Sequence, residues 1–259
     1  MTDFEPIGNV SKQFKGTFDG NNKTISNLSM TNVNSKDVGL FGYNDGTIKN
    51  LTLSSCTISG GSSSSPSYIG ALAGENAGSI SGCTVKECTV SCNEDSSNPY
   101  VGGVVGILHG SITNCVVENT SVNAVTSDVS ASVPTAYAGG IAGSRSNNTI
   151  SGCTVKGTTT VTADYSNCST DVFAGAIVGI LQGQGTFTDN TYESTVTTKA
   201  KKQGDSDYTT KSGQTQRGIG DGDDVIGQVE LAGTKKVTVE IISFAGSNWS
   251  CNAVEGTYY

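Results

Sequence analysis

The chain has 259 residues, of which Gly (34), Ser (33), Thr (32) and Asn (20) supply 119, while charged residues make up only 15%. Ordinary globular chains carry about 25% charged residues and about 7% Gly, and the absence of long like-charge blocks here argues against a disordered chain. The net charge of -8 excludes a phosphate-binding surface, and with it nucleic acid, as the default partner, and no apolar run of the roughly 18 residues that a membrane-spanning helix needs is present.

The start, Met1-Thr2-Asp3-Phe4-Glu5-Pro6, has neither a basic n-region nor an apolar h-region, so it holds no signal peptide. Export would then imply that the chain was cut from a longer precursor. Beyond residue 37 five segments share one pattern: Val38-Gly-Leu-Phe-Gly42, Gly70-Ala-Leu-Ala-Gly74, Gly102-Gly-Val-Val-Gly106, Gly139-Gly-Ile-Ala-Gly143 and Gly175-Ala-Ile-Val-Gly179. Their final glycines are separated by 32, 32, 37 and 36 residues. After a short turn each is followed by a second block, beginning at Ile48, Ile80, Ile112, Ile150 and Phe187, with Ile25 opening an earlier one.

Superposed, the second blocks form columns. Ile25, Ile48, Ile80, Ile112, Ile150 and Phe187 fill the first; Leu28, Leu51, Cys83, Cys115, Cys153 and Asn190 the second. Met30, Leu53, Val85, Val117, Val155 and Tyr192 fill the third, and Val33, Cys56, Cys88, Thr120, Thr158 and Thr195 the fourth. A spacing of two is the strand period; spacings of three require a bend. At the first bend stand Asn27, Asn50, Gly82, Asn114, Gly152 and Asp189, the three residue types that enter a left-handed backbone conformation at least cost.

Each repeat is therefore a set of short strands joined by tight corners, with one residue per column facing inward. Such a coil buries its apolar side only by stacking on its neighbours. The pattern predicts an all-β, right-handed parallel β-helix of about six rungs, spanning residues 1–198. Residues 199–259 depart from the repeat and are expected to form a C-terminal β cap, with a strand over Val237–Ile242 and Trp249 covering the open end. Lys199, Lys201 and Lys202 read as a solvated part of that cap.

Insertions of variable length recur at one place in the coil: Gly60 to Ser67, Cys92 to Pro99, Asn123 to Ala136 and Thr162 to Val172. In repeat architectures such loops leave from one face, often the binding face. Each ends on an aromatic residue, Tyr68, Tyr100, Tyr137 or Phe173, six residues before the last motif glycine. Stacked coils would bring these rings into one ladder, which is the candidate ligand-binding feature. Counting by two places the rings on the side of Leu72, Val104, Ile141 and Ile177, and so closing the core at a corner; the other reading has them at the loop base, offering faces and hydroxyls to a glycan.

The block Gly39-Leu-Phe-Gly42 with Gly46-Thr-Ile48-Lys-Asn50-Leu51, Gly103-Val-Val-Gly106 with Gly110-Ser-Ile112-Thr-Asn114-Cys115, and the matching blocks after Gly74, Gly143 and Gly179 resemble the GLUG-type repeat of bacterial surface proteins. Pro6-Ile-Gly8 and Phe14-Lys-Gly16-Thr-Phe18-Asp-Gly20, through Ile25-Ser-Asn27-Leu28, are similar to the segment that precedes such repeats. The resemblance covers residues 6 to 198. It implies a stalk or binding module of an exported bacterial protein, among which are adhesins and some immunoglobulin A metallopeptidases, and it brings no family-wide catalytic residues or cofactor.

The residues themselves offer little chemistry. A zinc protease needs a ligand set such as H-E-x-x-H, and the only histidine is His109, placed in the turn between the two blocks and read as a loop residue. A glycosidase needs two carboxylates about 5–10 Å apart, whereas Glu75, Glu87, Glu118 and Glu193 fall in different columns or far apart. Gly220-Asp221-Gly-Asp223-Asp224 is acidic enough for calcium but lacks the full loop spacing and distal Glu, and reads as an acidic turn. Cys83, Cys115 and Cys153 in one column, and Cys56 and Cys88 in another, read as a ladder of buried thiols; Cys168 and Cys251 lie outside the columns as a reactive or bridged pair.

The sequence thus favours a non-enzymatic, extracellular or cell-surface adhesin that binds glycans or surface proteins of host or neighbouring cells, without cofactor, metal or membrane insertion. A fibre or appendage spacer, including one of a bacteriophage, and a carbohydrate-active enzyme are the alternatives.

Overall fold

The computed structural model describes residues 4–64, 66–93, 95–127, 135–146, 148–165, 172–182 and 186–202, with three further short strands at Thr209–Ser212, Val239–Glu240 and Asn252–Ala253. The coils that begin at Ser67, Pro99, Ala136 and Val172 each hold five short strands, for example Ser67–Gly70, Ala73–Asn76, Ser79–Ser81, Thr84–Lys86 and Thr89–Cys92, and in the coil before them Thr47–Ser54 runs through a corner as one strand, leaving four. Each strand pairs in parallel with its counterparts one coil before and one coil after: Ser67–Gly70 lies between Asp37–Val38 and Pro99–Gly102. Among the described residues there is no helix. The fold is a parallel β-helix.

The columns seen in the sequence are its inward rows. Ile48, Ile80, Ile112, Ile150 and Phe187 stand in register and are 0–1% exposed. Leu53, Val85, Val117, Val155 and Tyr192 form the next row. A row absent from the sequence columns follows, Met30, Ile58, Val90, Val122 and Val161. Stacked at the ~4.8 Å strand spacing, these rows merge into one core.

The corner Asn50, Gly82, Asn114, Gly152 and Asp189 has φ of 54°, 59°, 53°, 63° and 56°, the left-handed backbone expected of those residue types. A second left-handed corner was hidden from the sequence. It runs through Asn27, Ser55, Glu87, Asn119 and Gly157, with φ of 57°, 54°, 55°, 49° and 67°, and Ser and Glu disguise it because neither favours that region. At the turn between the first two strands of a coil the constraint is contact instead: a Cβ on Gly139 would stand 1.9 Å from the Ala142 carbonyl oxygen.

Two register assignments are corrected. Ile25 pairs with Leu53, not Ile48, and Phe18 takes the Ile48 row; Met30 pairs with Ile58, so Leu28 aligns with Cys56 and Val33 leaves that row. Asn21 and Asn22, both at positive φ, add residues at the first corner of this coil and shift the apparent phase. In the later coils Thr159 and Val196 are buried in the fourth column and Thr158 and Thr195 are exposed, because the turn at Gly157 carries one extra residue.

Cys56, Cys83, Cys88, Cys92, Cys115 and Cys153 are buried free thiols, the ladder expected from the columns. Their positions have a polar reason as well. The Cys56 amide donates to Cys88 Sγ at 3.3 Å, the Cys88 amide to Thr120 Oγ1 at 3.3 Å and the Thr120 amide to Thr159 Oγ1 at 3.3 Å. In the other column the Cys153 amide donates to Asn190 Oδ1 at 3.0 Å. A corner interrupts the backbone ladder, and a short acceptor from the next coil takes the freed N–H, so Cys, Thr and Asn interchange there. Cys168 and Cys251 lie outside the described residues, as do Trp249 and the acidic turn at Asp221, Asp223 and Asp224.

Parallel pairing runs to Lys202, past the expected boundary at residue 198: Thr197–Lys202 pairs in parallel with Thr160–Tyr165 and antiparallel with Thr209–Ser212. Thr186–Thr188 likewise takes Val239–Glu240 as an antiparallel partner, which pairs with Asn252–Ala253. The change from parallel to antiparallel pairing marks the end of the coils.

Candidate functional site

The first strand of each coil alternates. Ile69, Val101 and Ala138 face inward at 0% exposure, and Tyr68, Tyr100, Tyr137 and Phe173 face outward in direct register. The alternation that placed the rings with Leu72 and Val104 fails at the intervening turn, where Ala71 and Leu72 are both buried. The rings therefore form an outer ladder at the base of the loops. Successive centroids are 5.5, 5.1 and 5.9 Å apart, with planes at 66°, 36° and 12°. Neighbouring rings occupy one another's faces, so the ladder presents edges and hydroxyls rather than a row of open faces. Tyr68, Tyr100 and Phe173 are half-buried and Tyr137 is buried at 5% exposure.

In register below Tyr68 the column continues with Asp37. Alignment on the motif glycines would put Lys36 there; the first turn is one residue shorter, with Leu40 and Phe41 donating to the carbonyls of Ala71 and Leu72, and this shift brings Asp37 into the ladder position. Beside it runs the outward column of the second strands, Tyr43, Glu75, Ile107 and Ser144, each the residue after a motif glycine. The two columns meet at the head of the ladder.

There Glu75 is the hub. Its Oε2 lies 3.9 Å from Lys36 Nζ and its Oε1 3.5 Å from His109 Nε2. Lys36 Nζ also stands 4.6 Å from the centroid of the Tyr68 ring. Asp37 is 3% exposed and its Oδ1 has no hydrogen-bond partner. Burial pushes the Asp37 carboxyl up to about 6, with the Glu75 charge adding and Lys36 opposing. Burial, then the charges of Tyr100, Glu75 and Asp37, push the Tyr68 hydroxyl up to about 12. Tyr43 is raised by burial first and then by the charge and hydrogen bond of Glu75.

The sequence pointed to the ladder but not to this cluster. Glu75 was weighed only against the other glutamates, and Asp37 was masked by the shortened turn. His109 does occupy a turn, as expected, but it also reaches Glu75. Among the described residues no group of three or more metal-binding side chains converges, and no helix is long and apolar enough to cross a membrane.

Among known proteins, the sequence model of the GLUG motif matches residues 97–123, which runs from the Pro99–Gly102 strand into Ser121–Val125. The chain thus carries a GLUG motif on a parallel β-helix. No curated protein matches the sequence. A solved structure from Bacteroides ovatus, described as a candidate immunoglobulin A1 protease, is 17% identical with a TM-score of 0.45 over 78% of this chain. This chain spans 66% of that protein's length.

Proposed function

We propose that this chain is a non-enzymatic, secreted or cell-surface β-helix that acts as an adhesin-type binding module for glycans of host or neighbouring cells. One observation carries the reading: the edges and hydroxyls of Tyr68 and Tyr100 run along the base of the variable loops and end at the Glu75 cluster. Tyrosine hydroxyls on rings stepped at 5.5 Å, ending at the Glu75 carboxylate and the His109 imidazole, are suited to a hydroxyl-rich polymer laid along the coils. The stacked scaffold holds these groups on paired strands, so little ordering is left to be done on binding.

The test is a glycan and host-matrix array probed with the folded chain and with Tyr68→Phe/Tyr100→Phe, which keeps the ring stack and removes two hydroxyls. Specific glycan binding, weakened in the double variant, is expected. A folded chain that binds nothing on the array would overturn the proposal in favour of a spacer or fibre element.

A further inference from the structure

The head of the ladder already holds an ammonium. Lys36 Nζ sits between the Tyr68 ring, 4.6 Å from its centroid, and Glu75 Oε2 at 3.9 Å. An ammonium over an aromatic face and beside a carboxylate is held by both cation–π attraction and charge pairing. Lys36 is not a fixed part of the arrangement, since its side chain is 37% exposed against 10% for Glu75 and it ends the link between Ser29–Val33 and Asp37–Val38. The seat is rigid and its occupant is a surface side chain.

One lysine also leaves the seat short of donors. Asp37 Oδ1 is buried without a partner, and Asp37 stands directly beside Tyr68 in the ladder column. Glu75 receives Lys36 on one oxygen and His109 on the other. A sugar ammonium brings the same three donors and charge as Lys36 but carries ring hydroxyls beside it, and the chain's net charge of -8 favours the approach of a cation.

We propose that this seat recognises the free amine of an amino sugar. The sugar ammonium replaces Lys36 over Tyr68, between Glu75 and Asp37, and the sugar hydroxyls meet His109 and the hydroxyl of Tyr100. A hydroxyl-bearing unit suits the adjoining ladder better than a lysine of a protein partner, whose apolar stem would lie against that row of polar edges. The inference rests on the glycan-binding reading and names the chemistry of its principal contact.

The experiment is calorimetric titration of the full chain with glucosamine oligomers, their N-acetylated counterparts and a lysine-rich peptide, using wild type, Lys36→Met and Glu75→Gln. Acetylation removes the charge and leaves the hydroxyls. The expected result is binding of the free-amine oligomer at least tenfold tighter than the acetylated one, severalfold tighter still in Lys36→Met, and lost about tenfold in Glu75→Gln. Equal affinity for the two oligomers would overturn the amine seat and leave the glycan reading standing. Peptide binding that depends on Glu75 in place of oligomer binding would reassign the seat to a protein ligand and overturn the proposal. Silence of all three ligands would overturn the amine seat, and the glycan reading falls with it if the array is silent too. Should Glu75→Gln fail to fold, the acetylation and Lys36→Met comparisons decide alone.

Discussion

Tyr68 and Tyr100 stand in register on adjacent coils, with ring centroids 5.5 Å apart and planes at 66°. Tyr100 meets Tyr137 on its other side at 5.1 Å, so it joins Tyr68 to the rest of the ladder. This makes the aromatic row a structural element as well as a surface.

Tyr100→Ala should therefore lower unfolding stability by about 2–3 kcal/mol, since two ring pairs and their buried area are lost together. Tyr100→Phe keeps the stack and should cost under about 1 kcal/mol, the scale of one hydroxyl hydrogen bond. Urea denaturation of the pair separates packing from hydroxyl chemistry, and equal losses would show that the rings do not support one another.

Asp37 predicts a pH dependence of unusual direction for a carboxyl. Its native pKa, about 6, lies above the ordinary 3.8. Between these values the native state keeps a proton that the unfolded chain has released, so stability falls as pH rises from about 4 to 6 and the penalty is complete above that window. Asp37→Asn should be the more stable protein at pH 7.5, by about 3 kcal/mol, and the gap should close by pH 4. Thermal melts of both proteins across this range test it; a gap that widens on acidification would contradict the assignment.

Arg145 is in register with Leu108 in the preceding coil and is 0% exposed. Its Nε donates to the Asn148 carbonyl at 2.6 Å, while both terminal guanidinium nitrogens lack a hydrogen-bond partner. Burial pulls its pKa down to about 10, the mark of a charge held away from water. Arg145→Leu, which repeats the residue one coil before, should raise stability by about 1–4 kcal/mol. Guanidinium unfolding of the variant checks the sign.

The six described cysteines should ignore a water-soluble thiol reagent in the native protein and react once it is unfolded. Cys115→Val and Cys88→Val keep the volume but should each cost about 1–3 kcal/mol, because the Cys83 and Cys56 amides then lose their sulfur partners. Fast native labelling of Cys83, Cys115 or Cys153, read by mass spectrometry, would contradict their burial.

How far the fold was legible depended on which residues carried the signal. Ile48, Ile80 and Ile112 announced a row because nothing but an apolar side chain serves at an inward position, and Asn50, Gly82 and Asn114 announced a corner because few residues tolerate that backbone. Ser55 and Glu87 concealed the second corner because stacking overrides their local preference. The Thr158 and Thr195 assignments failed because a one-residue turn insertion is invisible to a column of polar residues, where either neighbour looks acceptable. At the site, Tyr68 and Tyr100 were legible as a repeat; Asp37 and Glu75 were not, since each occurs once and their meeting depends on a turn shortened by one residue.

The loops all leave between the last strand of one coil and the first strand of the next, directly beside Tyr68, Tyr100, Tyr137 and Phe173. Chain length there varies without disturbing the strands, because each coil is held by its neighbours through the strand pairing and the inward rows. The molecule thus separates a conserved-geometry spine from an editable margin. New recognition properties could be grafted at that margin, one coil at a time, while the spine is left untouched.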